Sequence, residues 1–199
     1  KSTGKGNLFV IFGEPDVRIH TGESASLEEE ITHRLARSET IVTELEALAT
    51  EIKSAADKDL KEKLKERRAV LVAERQKIER FVPYAQSVPA DLRFVEVFGV
   101  DVFHPNTGEV RSDGADGIAC WFIDTDYNEE SFFVRHAYFL GANDPYSALK
   151  TTLKAEIDKE AWESLNSDTS RLFDKPKSGR IAVKVINHLG DEVMKVFKV

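Results

Sequence analysis

Residues 24–83 read SASLEEEITHRLARSETIVTELEALATEIKSAADKDLKEKLKERRAVLVAERQKIERFVP, dominated by Ala, Glu, Lys, Leu and Arg and free of Gly and Pro until Pro83. Those residue types lose least on entering a helix, while Gly and Pro are the two that break one, so the stretch reads as a long helical segment from about Ser24 to Val82. Its first half carries apolar or small residues at Ile31, Leu35, Ser38, Val42, Leu45, Ala49 and Ile52, in alternating steps of four and three. The second half repeats the rhythm at Leu60, Leu64, Arg67, Leu71, Glu74, Ile78 and Phe81. That is the spacing of a coiled-coil seam. If the chain folds back near Ala56, facing residues have numbers that sum to about 112 to 113, because both arms advance at the same rise per residue. Ile52 then meets Leu60, Ala49 meets Leu64, Val42 meets Leu71, Leu35 meets Ile78, Ile31 meets Phe81, and the polar Ser38 falls opposite Glu74. The same rule pairs Glu51 with Lys61, Glu44 with Arg68, Lys53 with Asp59 and Arg34 with Glu79. Exposed pairs of this kind contribute at most about 1 kcal/mol each, so they set register more than stability. Ser26 with Glu29, and Asp59 with Glu62, have capping-box spacing at the two starts. Each arm would span about 35 to 40 Å.

On either side the chemistry changes to that of strands. Leu8 to Phe12 is an apolar run ended by Gly13-Glu14-Pro15, and Val17 and Ile19 resume an extended pattern up to Thr21-Gly22, which predicts two short strands. Strand residues return from Arg93 to Phe103, followed by a turn at Pro105-Asn106-Thr107-Gly108 and a short strand from Glu109. Ile118 to Ile123 and Phe132 to Leu140 predict a hairpin with the long polar loop from Asp124 to Glu130. Asp144 reads as a helix cap with Pro145 in the first position and Leu149, Leu153 and Ile157 as an apolar stripe, and a second short helix is expected around Ala161 to Leu165. Arg180 to Asn187 and Glu192 to Val199 predict a terminal hairpin around His188-Leu189-Gly190-Asp191. The expected fold class is therefore α+β: a mainly antiparallel β body with one or two short helices, interrupted by a long antiparallel coiled-coil helical hairpin. Residues 1–23 and 90–199 form the expected body, and residues 24–89 the inserted hairpin.

The 199 residues, 41% hydrophobic and 32% charged, suffice for one substantial core plus a satellite module. No apolar run approaches the ~20 residues a bilayer span requires, so the expectation is a soluble, cytoplasmic chain with no membrane partner. The start at Lys1 has no initiator Met and no apolar signal stretch, which reads as a cut inside a longer chain. Cys120 is the only cysteine, which excludes an intrachain disulfide and a multi-Cys zinc site; within its apolar run it reads as a buried, inert thiol. The net charge of −7 argues against nonspecific nucleic-acid binding by the chain as a whole. A local basic patch is nevertheless present: Lys58, Lys61, Lys65 and Arg68 follow near-helical spacing on the second arm. Lys61, Lys65 and Arg68 are the candidate phosphate contacts, weighed against a solvated face paired with the acidic first arm.

Other motifs resolve to structure rather than chemistry. Asn143-Asp144-Pro145-Tyr146 resembles the Asp-Pro-Pro-Tyr loop of amino-methyltransferases but lacks the second proline and opens an amphipathic helix, so it reads as a cap. No Phe-x-Gly-x-Gly turn for S-adenosylmethionine occurs. Ser2-Thr3-Gly4-Lys5-Gly6 lacks the first glycine of a phosphate loop, and a strand follows where a helix is needed. Asp124, Asp126 and Asn128 alternate as in a calcium loop, yet Glu129 stands at the glycine position and Arg135 in place of the closing acid, which favours a solvated hairpin turn. The histidines at positions 20, 33, 104, 136 and 188 form no i, i+4 pair; His136 reads as a buried, hydrogen-bonded residue. Ser131 and Ser170 lack a Gly-x-Ser-x-Gly context. No catalytic, cofactor-binding or metal-ligating residue is assigned.

From Asn7 to Asp16, and again from Gly99 to Val199, the chain resembles the C-terminal region of type III restriction-modification adenine-specific DNA methyltransferases, the modification subunits. The resemblance rests on Asn7-Leu8-Phe9-Val10-Ile11-Phe12-Gly13-Glu14-Pro15-Asp16 and on Gly99-Val100-Asp101-Val102-Phe103 with Thr107-Gly108-Glu109. It continues in Ala119 to Asn128, in Ser131 to Phe139 and in Ile181 to His188, covering a little over half of the chain without a catalytic motif. What it implies is a parent enzyme that carries a methyl group from S-adenosylmethionine to N6 of adenine in duplex DNA, with a restriction subunit and a second copy as possible partners. In that frame the chain is a non-catalytic module for DNA engagement, dimerisation or subunit docking, and it holds no cofactor itself. A separate class of reading makes it an independent coiled-coil protein-interaction module unrelated to methylation.

Overall fold

A computed structural model of the chain describes residues 11–104, 109–140, 164–188 and 190–199. It divides into two compact units, Thr21–Asp91 and the pairing of Lys1–His20 with Leu92–Val199. The class is α+β, with two long helices and antiparallel sheets. Among the described residues no helix is long and apolar enough to cross a membrane.

The first unit consists of α1 (Ala25–Ser54) and α2 (Lys58–Gln86). Both caps sit two residues before the expected ones. Ser24, in extended conformation, accepts the Leu27 N–H at 3.2 Å and donates its hydroxyl to the Thr21 carbonyl at 2.7 Å. Asp57 accepts the Leu60 N–H at 2.7 Å. These lone caps need no reciprocal Glu, so the capping-box spacing at Ser26 and Asp59 marks positions already inside the helices. Pro83 does not end α2, which runs on to Gln86. The ring removes one N–H donor near the end of the helix, and the following turn still closes through Ser87 N–H to the Tyr84 carbonyl at 3.0 Å.

The two helices also correct the expected seam. Leu35 and Val42 are exposed, at 46% and 36%, while Leu27, Ile41 and Leu48 are buried. The covered line of α1 therefore passes through the half-buried Arg34 and the buried Ile41 and Leu48, one residue before each of the expected Leu35, Val42 and Ala49. Arg34 is the cause. Its charged head bonds Glu30 at 2.7 Å, while its guanidinium carbon lies 3.6 Å from the centre of the Phe81 ring, so an arginine occupies a place that a count of apolar residues passes over. On α2 the expected Leu71, Ile78 and Phe81 are buried, whereas Leu60 is 49% exposed. Between the helices Arg37 donates to Glu74 through Nε at 2.7 Å and Nη2 at 2.9 Å, and through Nη1 to Glu44 at 2.7 Å. These two carboxylates raise the guanidinium pKa further above its ordinary value. Ahead of α1, Gly22 is buried, and a Cβ there would lie 2.0 Å from the Pro89 carbonyl oxygen and 2.5 Å from that of Val88. Only glycine lets the incoming and outgoing backbones approach so closely.

Among the described residues the second unit contains two four-stranded sheets. The first has the order β1 (Ile11–Thr21), β2 (Leu92–His104), β3 (Glu109–Gly114), and β6 (Phe173–Asp174) also pairs with β2. The second has the order β5 (His136–Phe139), β4 (Ile118–Asp124), β7 (Arg180–Asn187), β8 (Glu192–Lys198). Since β1 and β2 are neighbours, the whole helix pair intervenes between adjacent strands. β1 is one strand of eleven residues where the sequence predicts two short ones. The Gly13-Glu14-Pro15 break is absorbed because β1 is, among the described residues, an outer strand, which tolerates a proline, and because Gly13 approaches Asp101 so closely that a Cβ would lie 3.0 Å from its carbonyl oxygen. β2 is long enough to pair twice: with β3 from Gly99 to His104, which flanks the expected turn, and with β6 at Leu92 and Arg93. The terminal hairpin forms as expected, with Arg180 opposite Lys198 and Ile186 opposite Glu192. The expected strand residues Leu8 to Val10, the turn Pro105 to Gly108, the helix from Asp144 and most of the one around Ala161 lie outside the described residues.

Val95, Val97 and Val100 of β2 share one core with Ile118, Trp121 and Ile123 of β4, Tyr138 of β5, Phe173 of β6, and Ile181, Val183 and Val185 of β7. Trp121 is fully buried, stacks on Tyr138 with ring centres 4.4 Å apart, and donates its Nε1–H to the Ser167 carbonyl at 2.9 Å. Beside this core His20 of β1 is buried with Nε2 3.3 Å from the Glu96 carboxylate, its ring stacked on Phe94 at 4.7 Å. A buried polar pair of this kind holds its place by mutual hydrogen bonding.

Candidate functional site

The three expected phosphate contacts, Lys61, Lys65 and Arg68, lie on one face of α2 within its first three turns. Lys65 Nζ is 2.8 Å from the Glu62 carboxylate, Lys61 is half-buried and Arg68 is exposed. A separate feature of the same unit is a groove of about 370 Å³ with an apolar floor at Leu27, Ile31, Leu35 and Ala85 and acidic groups at Glu23 and Glu28.

The most built polar constellation lies instead at the end of β4. Asp124 is 0% exposed, and its oxygens accept the N–H of Asp126 at 3.1 Å, the N–H of Phe133 at 2.9 Å and the Nε–H of Arg135 at 3.0 Å. A buried carboxylate is tolerated when donors surround it, and here one donor is a cation. Asp126 accepts the N–H of Ser178 at 2.8 Å, and the backbone and hydroxyl donors of Ser178 hold its carboxyl below the usual range. Asn128 accepts the N–H groups of Glu130 and Ser131 at 3.0 and 3.1 Å, the self-turning geometry that suits Asn in loops. Glu129 takes a left-handed φ of 67° and its carboxylate reaches Arg180 at 3.1 Å.

These bonds explain the form of the loop and one departure from expectation. The alternating Asp124, Asp126 and Asn128 organise the loop from within, while its tip from Asn128 to Ser131 is exposed, as expected of a solvated turn. The strand expected from Phe132 begins only at His136, because the Phe133 N–H is turned back to Asp124 rather than to β4. Phe133 and Val134 are consequently left 56% and 58% exposed. Arg135, read from sequence only as the wrong residue for a calcium loop, is the cation that neutralises Asp124. A charged residue closing an otherwise apolar strand, followed eleven positions later by an arginine, is the signal that sequence reading passed over.

Farther along β5, His136 is half-buried, and its Nδ1 lies 3.3 Å from the Tyr138 hydroxyl. That hydroxyl accepts the Arg171 N–H at 2.7 Å, which leaves its own proton for the imidazole. Desolvation, with the Arg171 charge adding to it, lowers the His136 pKa; burial raises that of Tyr138. Cys120 is half-buried on β4, and burial likewise raises its pKa, so the thiolate that would make it reactive is disfavoured. Among the described residues no group of three or more His, Cys, Asp and Glu side chains is placed to hold a metal ion. No family profile matches the chain, and comparison with curated proteins and with solved structures returns no significant match.

Proposed function

We propose that the chain is a non-catalytic module of an S-adenosylmethionine-dependent adenine-N6 DNA methyltransferase, of the restriction-modification kind that its sequence resembles. One observation supports this above others. Three of the stretches that carry the resemblance, residues 119–128, 131–139 and 181–188, include the adjacent strands β4, β5 and β7 with parts of the loop between β4 and β5, and the first two of them meet at the buried Asp124 carboxylate. The resemblance thus follows a packed unit rather than scattered strings of residues. In this reading the sheet unit belongs to the parent enzyme's own fold, and the parent supplies cofactor and catalytic groups. The Lys61, Lys65 and Arg68 face of α2 then adds phosphate contacts that are indifferent to sequence. The working compartment is the cytoplasm, where a restriction subunit is a further partner.

The spacing of Leu27, Ile41 and Leu48, separated by multiples of seven residues, favours an antiparallel coiled coil for α1 and α2. This keeps a second reading in view, an independent protein-interaction module. Translating the gene upstream of Lys1 separates the two: Phe-x-Gly-x-Gly and Asp-Pro-Pro-Tyr are expected there, and a reading frame without them overturns the methyltransferase reading. Calorimetry tests the non-catalytic part: the isolated chain should take up no S-adenosylmethionine, and micromolar binding would count against it.

A further inference from the structure

Among the described residues β8 is the last strand of its sheet, with β7 as its neighbour. The ladder between them determines which of its backbone groups are used. Val199 donates its N–H to the Gly179 carbonyl at 3.0 Å, and Asn187 donates to the Asp191 carbonyl at 3.1 Å. In the alternation of an antiparallel ladder, Val193, Lys195 and Phe197 therefore bond β7, and Glu192, Met194, Val196 and Lys198 turn N–H and C=O to the open side. Outer strands are normally blunted by proline, a bulge or charged side chains, and the charges of β8 are Glu192, Lys195 and Lys198. β8 has no proline, and its register with β7 runs from Lys198 to Glu192 without a shift. Met194 and Val196 are 43% and 40% exposed.

We propose that β8 pairs with β8 of a second copy of this chain, antiparallel about a two-fold axis, so that the sheet continues from one copy into the other. A two-fold axis normal to a sheet keeps each face on its own side, so facing residues must both be even-numbered or both odd-numbered. Centring the axis on Lys195 satisfies this rule. It sets Glu192 against the second copy's Lys198 at both ends, and Met194 against Val196. These four residues are the ones whose backbone groups are open, so they fall in the hydrogen-bonded positions. Val193 meets Phe197 on the core face. A shift of the axis by one residue in either direction sets Lys198 against Met194 or Glu192 against Val196 and leaves the charges without partners. Glu192 already holds Lys184 at 2.6 Å, so the contact would extend that pair into a chain of three charges. The adverse pair is Lys195 with its own counterpart, and Glu14 lies 2.6 Å from its ammonium group. The self-complementary charge order argues for a copy of the same chain over an unrelated strand. It holds whichever parent protein carries the module.

Sedimentation and light scattering of the full chain should give a dimer. Val196→Pro removes one open-side N–H and none directed at β7, so it should give a monomer with unchanged circular dichroism. The charge test needs no proline and decides the matter if that variant misfolds. Glu192→Lys alone and Lys198→Glu alone each place like charges at both ends and should weaken self-association at least about tenfold. Mixing the two variants in equal amounts restores opposite charges at both ends and should restore the dimer. A monomeric wild-type chain, a dimer that persists in folded Val196→Pro, or variants that fail to associate on mixing would each overturn the proposal.

Discussion

The helix unit and the sheet unit bury their apolar residues in different ways. Along α1 and α2 the buried residues form narrow stripes, Leu27, Ile41 and Leu48 on one helix and Leu71, Ile78, Phe81, Val82 and Ala85 on the other, while Leu35, Leu60 and Val70 remain open. In the sheet unit residues as distant in sequence as Val95 and Val185 share one cluster at 0% exposure. A line on a helix is set by local period, so shifting it by one residue changes which side chain is covered but leaves the helix intact. A sheet has no such tolerance, because a slip of one residue turns every side chain to the other face. The same substitution is therefore expected to have an effect set by phase in one unit and by depth in the other.

The largest expected effect is that of Trp121→Ala. It removes the ring stacked on Tyr138 and leaves the Ser167 carbonyl without its donor, at a cost of about 3–5 kcal/mol. Near-ultraviolet dichroism of the sheet unit should be lost at a lower temperature while the far-ultraviolet helix signal persists. Simultaneous loss of both would show that the two units melt as one. Next in size is Ile41→Asp, which places a carboxylate at a 0% exposed position and should melt the helix pair at a cost of roughly 2–5 kcal/mol. Its neighbour Val42→Asp, at a 36% exposed position, should cost under about 1 kcal/mol. Equal costs would return the seam to the Leu35, Val42 and Ala49 line.

The smallest expected effect concerns pH. Desolvation and the Arg171 charge depress the His136 pKa in the folded chain, so the unfolded chain binds this proton more readily. Stability should then be full above the unfolded value of about 6.5 and decline as pH falls through it toward the folded value. The lowered Asp126 carboxyl acts in the same direction at more acid pH, below its ordinary 3.8. Chemical denaturation followed from about pH 8 to about pH 5 should show the decline in the sheet unit, and His136→Gln should flatten it. A slope that His136→Gln leaves unchanged would assign the effect to another group.

Composition alone disclosed the long helices, because no residue between Ala25 and Val82 opposes them, and the β-rich runs disclosed β4, β7 and β8. The phase of the α1 seam was hidden because Arg34 buries an apolar stem behind a charged head, which no hydrophobicity count credits. Pro15 and Pro83 look like breaks in the sequence, yet both are accommodated, one on an outer strand and the other in a final helical turn. The site around Asp124 was the least legible part. Phe132-Phe133-Val134 has every local preference of a strand, and what diverts it is a hydrogen bond to a carboxylate nine residues earlier, at the end of the preceding strand. Such a bond exists only after the sheet has formed, so local preference carries no trace of it.

The close approach of Gly22 to Val88 and Pro89 makes the helix pair a side branch of the chain rather than a stage along it. At that neck the backbone entering the helix pair lies directly against the one leaving it. Lengthening both arms by seven residues would add two helical turns to each and restore the same seam. Lengthening one arm alone would break the match between them. Evolutionary change in this segment is therefore expected to come in matched sevens, with glycine kept at the neck whatever the length of the branch.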